Sequence, residues 1–136
     1  MQAVNLVHRN VFTASNGMLF GRVMGMPVVK LTTTGRKSGR PRTTMLTAPA
    51  KDGDNLVLVA SYGGSPKHPD WFLNLRDKPE VEVMTRDFKG RRHARIATAE
   101  ERARIWPEIT GKHKNYAGYQ TKTAREIPLV ILEPAV

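Results

Sequence analysis

Hydrophobic and polar positions follow two periods along the chain, a helical one near its start and a strand-like one afterwards. Between residues 4 and 25 the apolar side chains Val4, Val7, Val11, Leu19 and Val23 recur at roughly helical spacing, interrupted by Asn16-Gly17 and Gly21. This predicts one broken amphipathic helix, suited either to cap the open end of a barrel or to lie on a membrane surface. Its cations are only His8, Arg9 and Arg22, so any attachment to a membrane is expected to be weak. From Pro27 onward, short β-branched runs punctuated by turn residues predict strands over residues 28–34, 42–50, 55–61, 80–86, 90–98 and 127–133. Gly35 to Pro41 connects the first pair, Lys51-Asp52-Gly53-Asp54 forms a hairpin turn, and Asp87-Phe88-Lys89 forms another.

Two helical insertions interrupt the strands. Pro69 opens the first, Asp70 complements its dipole, and Trp71 and Leu75 share a face before Pro79 stops it. The second begins at the capping-box pattern Thr98-Ala99-Glu100-Glu101 and buries Ile105, Trp106 and Ile109 before Gly111, with a kink expected at Pro107. The fold class that follows is mainly β with helices (α+β), an up-and-down or Greek-key barrel of about six antiparallel strands whose closure would remove exposed edges. An N-terminal amphipathic helical segment over residues 1–26 precedes one barrel domain over residues 27–136; no repeat or low-complexity stretch divides the latter.

Composition narrows the function. The 136 residues suit a single core, and 22 Lys+Arg against 12 Asp+Glu give a formal charge of +10. Such a field favours an anionic partner: nucleic acid, an acidic membrane surface, or a small ligand with several phosphates or carboxylates. The absence of cysteine removes disulfides, thiolate catalysis and cysteine-ligated metal centres. With no bilayer-length apolar run and no signal-peptide order at the start, the expected setting is the cytoplasm, with at most a peripheral position at the inner face of the membrane.

Three stretches carry candidate chemistry. Thr32-Thr33-Thr34-Gly35-Arg36-Lys37-Ser38-Gly39-Arg40-Pro41-Arg42 packs four cations and two glycines into one strand connection, suited to a phosphate or carboxylate. An ordinary solvated hairpin tip has the same composition. In Ala60-Ser61-Tyr62-Gly63-Gly64-Ser65-Pro66-Lys67-His68-Pro69-Asp70-Trp71, a strand ends, a glycine loop turns and a helix begins; its amides and the Ser61 hydroxyl suit an electron-rich heterocycle, although a sharp turn and a core Trp71 need the same residues. In His113-Lys114-Asn115-Tyr116-Ala117-Gly118-Tyr119-Gln120, helical spacing places His113, Tyr116 and Gln120 on one face beside Tyr119, which describes a substrate pocket or a lid packed on the barrel. His8, His68, His93 and His113 have no metal-ligand spacing, and neither a dinucleotide fingerprint nor a nucleophile elbow is present. His93, among Arg91, Arg92 and Arg95, reads as part of a solvated or ligand-facing strand surface.

Taken together, these stretches and the terminal Arg125-Glu126-Ile127-Pro128-Leu129-Val130 resemble the deazaflavin (coenzyme F420)-dependent nitroreductases of actinobacteria, within the split β-barrel flavin-binding superfamily. The correspondence runs from about Pro27 to Pro134, including Pro69-Asp70-Trp71-Phe72-Leu73-Asn74-Leu75. The resemblance implies a split β-barrel and a coenzyme with an 8-hydroxy-5-deazaflavin ring, a ribityl phosphate and an oligoglutamate tail, with no metal. It implies Arg36, Lys37 and Arg42 at the phosphate and ribityl region with Ser38 assisting. Thr47, Ser61, Tyr62, Gly63 and Gly64 would border the ring, and Trp71 and Asn74 would support that loop. Ser61, Tyr116 and Tyr119 become the candidate catalytic residues. Tyr62 stands where relatives often carry lysine, so one phosphate contact must come from elsewhere. Thr47 and His113 stand where nitroimidazole-reducing relatives carry tyrosine.

The implied activity is transfer of a hydride from the reduced deazaflavin to a small organic acceptor, with quinones ahead of enones and nitroaromatics. Two rivals stand beside it. FMN fits a barrel of similar shape, and a basic nucleic-acid-binding barrel fits the charge, although no strand shows the aromatic pairs that stack bases. Monomer and dimer are both open.

Overall fold

The computed structural model describes residues 22–23 and 25–135, so most of the expected N-terminal helix lies outside the described residues. Its expected last turn is not helical. Arg22–Val23 is a short strand, β1, which turns at Gly25 (φ 79°) and pairs with Pro27 and Met26 of the nine-residue β2, Met26–Thr34. Glycine enters that left-handed region without steric cost, and the hairpin it permits prevails over the helical spacing read from Val23. The hairpin also straddles the division drawn between residues 26 and 27.

The remaining strands are β3 (Pro41–Thr47), β4 (Ala50–Asp52), β5 (Asn55–Val59), β6 (Glu80–Met84), β7 (Lys89–Ile96) and β8 (Leu129–Pro134). The strand expected over residues 42–50 is interrupted: Pro49 has no N–H to continue a ladder, and the Ala48 amide bonds instead to the Pro27 carbonyl at 3.0 Å. Among the described residues three α-helices accompany the strands: α1 (Asp70–Asp77), α2 (Ala99–Lys112) and α3 (Lys114–Thr121). The capping box at Thr98 and Glu101 forms with both reciprocal bonds, and α2 continues through Pro107.

All strand pairs are antiparallel, in the order β1-β2-β6-β7-β8-β5-β4, with β3 also paired to β2. The sheet curls into a barrel that is split and does not close. Among the described residues β3 pairs only with β2, from Val28↔Thr47 to Thr34↔Pro41. Closure was expected in order to remove edges. Here β3, Pro-Arg-Thr-Thr-Met-Leu-Thr, is left as an edge whose residues are all at least partly exposed, with a proline and an arginine at its start to discourage further pairing.

β8 explains why its stretch of sequence is continuously apolar. Val130 and Leu132 enter the inner core with Val29, Leu31, Leu58, Phe72 and Leu75, while Leu129 and Ile131 face the opposite way and meet Ile105 and Ile109 of α2. A strand covered on both faces loses the polar half of its alternation. Each fully buried Leu or Ile there contributes about 1.5–3 kcal/mol. This wall holds α2 and α3 on one side of the sheet, beside the split.

Candidate active-site cleft

The connection between β2 and β3 is a rigid loop. The Gly35 amide donates to the Arg40 carbonyl and the Gly39 amide to the Gly35 carbonyl, both at 2.8 Å, while the Arg40 amide reaches Ser38 Oγ at 3.1 Å. A Cβ on Gly35 would lie 2.6 Å from Ser38 Oγ and 3.2 Å from the Arg40 carbonyl, so a larger residue there would have to displace Ser38 from the loop. Arg36 ties the loop to α1. Its amide and Nη1 donate to Asn74 Oδ1 at 3.1 and 2.8 Å, and Nη2 reaches Asp70 at 3.3 Å. Buried Asn74 in turn donates to Thr33 Oγ1 at 3.2 Å, so its amide joins β2, the loop and α1. Lys37, Ser38 and Arg42 remain exposed.

The loop after β5 is strained. Tyr62, Gly63 and Gly64 all have positive φ, at 45°, 64° and 84°. For a non-glycine such as Tyr62 this costs on the order of 1–3 kcal/mol and persists only where surrounding contacts enforce it. Arg125 supplies them: its guanidinium donates to the carbonyls of Ala60 (3.2 Å), Ser61 (2.9 Å) and Ser65 (2.9 Å) and contacts His68 Nδ1 at 3.2 Å. Because arginine only donates, Nδ1 is an acceptor and the His68 proton sits on Nε2. Burial, then the charges of Arg125 and Arg76, hold His68 below its usual pKa and keep it neutral. Tyr62 itself is 62% exposed, unlike the buried Ser61.

On α3, Tyr116 is buried and Tyr119 half-buried, with their rings edge to face at 5.9 Å. The Tyr116 hydroxyl donates to Met26 Sδ at 3.8 Å, and Thr47 lines the same cleft. Burial is the main cause of its raised pKa, so the phenol keeps its proton well into alkaline solution.

These parts line one cleft of about 1310 Å³ beside the split in the barrel. Arg36, Lys37, Ser38, Arg42, Thr47, Ser61, Tyr62, Gly63, Trp71, Asn74, Tyr116 and Tyr119 all border it. Gly64 does not. Its amide closes the turn onto the Ser61 carbonyl at 2.9 Å, and a Cβ there would meet the Tyr119 carbonyl at 2.7 Å. His113 is also outside the lining: it occupies the junction of α2 and α3, edge-on to the Tyr116 ring at 6.3 Å. Gln120 faces away and holds residues 125–127. Trp71 both packs on the inner core and lines the cleft. His93 pairs with Glu80 at 2.8 Å on β6. Among the described residues, no three His, Asp or Glu side chains converge as a metal site would need.

Sequence reasoning gave no site role to several residues that build the cleft, among them Asp70 in its lining and Arg125 behind it. Asp70 looked like a partner for the helix dipole, yet it also borders the cleft and pairs with Arg36. Arg125 belonged to a motif of the family resemblance but carried no assigned role; its carbonyl acceptors are invisible in sequence.

The cleft has a direction. From Arg42 to Thr47, β3 rises about 17 Å at 3.3–3.4 Å per residue, with the cations at one end and Thr47 at the other. A donor set of this kind fits a long ligand with an anionic group at one end and a flat polar ring towards the other. Comparison with known proteins decides the family: the model for F420H(2)-dependent quinone reductases matches residues 6–134. The chain belongs to this family. An F420H(2)-dependent quinone reductase of Mycobacterium tuberculosis is 37% identical over 130 residues, which cover 93% of this chain and 87% of that protein. A solved F420-H2 dependent reductase is 42% identical with a TM-score of 0.69, covering 79% of this chain and 94% of that one. Another solved structure, described as a domain-swapped dimer, is 36% identical with a TM-score of 0.71 and covers 94% and 97% of the two chains. The protein is therefore an F420H2-dependent oxidoreductase of the quinone reductase family, and the nucleic-acid-binding barrel weighed from its charge gives way to this reading.

Proposed function

We propose that the cleft binds coenzyme F420 lengthwise, its phosphate at Arg36, Lys37, Ser38 and Arg42 and its ring beside Thr47 and residues 61–63. The observation that carries this reading is the polarity of the cleft along β3. Lys37 and Arg42 are free to close on an anion, whereas Arg36, already fixed by Asn74 and Asp70, gives the site a preset geometry. Exposed Arg40 extends the cationic surface towards the carboxylates of an oligoglutamate tail. Tyr62 contributes a ring at the mouth in place of the lysine of relatives, which leaves the phosphate to the hairpin.

Bound in reduced form, the coenzyme supplies a hydride to a quinone-like acceptor. The chain's own residues align the two reactants and exclude water. Tyr116 and Tyr119 form the aromatic wall on which a flat acceptor packs. The Tyr116 Oη proton, retained by burial and directed at the weak acceptor Met26 Sδ, can turn to an acceptor oxygen in the cleft as negative charge develops there. The test is turnover of the reduced coenzyme with a water-soluble naphthoquinone. Oxidation of the coenzyme should require both protein and quinone, and Tyr116→Phe should lower kcat about tenfold while coenzyme affinity stays within about twofold. Unchanged kcat in Tyr116→Phe would remove the hydroxyl from the reaction.

A further inference from the structure

The two sides of the cleft are joined by a short segment that does not line it. Residues 125–127 lie between α3 and the start of β8, and both the glycine loop and the tyrosine helix are hydrogen-bonded to them. Gln120 of α3 donates through Nε2 to the Arg125 carbonyl at 2.7 Å and accepts from the Ile127 amide at 2.9 Å. Arg102 of α2, stacked over Trp106, donates to the Ile127 carbonyl and reaches Gln120 Oε1 at 3.3 Å. In the other direction, Arg125 gathers the carbonyls of Ala60, Ser61 and Ser65. No carboxylate pairs with its guanidinium among the described residues, and neutral His68 takes the place such a group would occupy. Loop and helix also touch directly, since Gly64 has no room for a Cβ beneath the Tyr119 carbonyl.

We infer that Arg125 is a positioning residue for hydride transfer, holding the ring-binding loop at residues 60–65 in its strained form and in fixed register with Tyr116 and Tyr119. This inference rests on the proposed arrangement of coenzyme and acceptor. The three loop carbonyls converge on one planar fork, a geometry that a lysine ammonium cannot reproduce. Without the fork, the consecutive positive φ angles at Tyr62, Gly63 and Gly64 lose their main restraint, and the loop relaxes away from α3. The phosphate grip in the hairpin is built from other residues and persists. Loss of Arg125 therefore misaligns the reactants while leaving most coenzyme affinity in place.

The experiment compares wild type, Arg125→Ala and Arg125→Lys in three measurements: amide hydrogen exchange, coenzyme affinity and single-turnover hydride transfer. Exchange is expected to accelerate selectively at residues 61–65 in both variants, and the transfer rate to fall about 10- to 100-fold. Coenzyme Kd should stay within about threefold, and millimolar guanidinium should partly restore Arg125→Ala. Arg125→Lys, which keeps the charge, serves should the alanine variant not fold. Unchanged exchange at residues 61–65, or an unchanged transfer rate, would overturn the inference. Exchange is read without coenzyme, so failure of wild type to bind it would defeat the functional reading and leave this part of the test standing.

Discussion

Arg36 and Lys37 are neighbours in one loop with different duties. Arg36 is held by Asn74 and Asp70, so its removal would unpin the hairpin as well as weaken an anion. Lys37 is exposed at the rim of the cleft and isolates the electrostatic contribution. Lys37→Glu should weaken coenzyme binding at least tenfold, about 1.4 kcal/mol, while stability changes by no more than about 0.5 kcal/mol. Titration of coenzyme fluorescence and a thermal melt check the two halves. Equal binding by the variant would place the phosphate elsewhere.

Among the elements, α2 offers the sharpest pH signature. Glu101 caps the helix and forms a bidentate pair with Arg95, at 2.6 and 2.9 Å. That pair, then the Thr98 amide, pulls its pKa from 4.5 to about 2. A carboxylate with a lowered folded pKa adds stability above the unfolded value and loses it as pH falls through the folded one. Glu101→Gln should therefore cost about 1–2 kcal/mol at neutral pH, a figure reduced for the solvent exposure of the pair, and the difference from wild type should vanish between about pH 4.5 and pH 2. Denaturant melts across that range measure it. Thr98 and Glu101 were legible in the sequence because capping chemistry is local, as was the turn at Gly53. The early helix read to Gly25 and the strand read through Pro49 were misjudged at their ends, where a glycine hairpin and a missing amide override periodicity. Arg125 was illegible as a clamp for another reason: its acceptors lie about 60 residues away in sequence, at 60, 61 and 65.

Across the whole molecule, the excess of 22 cations over 12 anions acquires a purpose from the split barrel. In the proposed arrangement an elongated ligand would lie along the cleft between β3 and α3, with the cationic hairpin at one end. Charge alone suited several partners; the family match and the directed cleft narrow them to an anionic coenzyme. Affinity should accordingly fall as salt rises, because the rim cations are exposed and screened over about 8–10 Å at physiological ionic strength. The most direct test is parallel titration of the purified protein with coenzyme F420, FMN and NADP at one fixed salt concentration, followed by ligand fluorescence. The account predicts that coenzyme F420 binds at least tenfold more tightly than either alternative. Tight FMN binding with no binding of coenzyme F420 would contradict it.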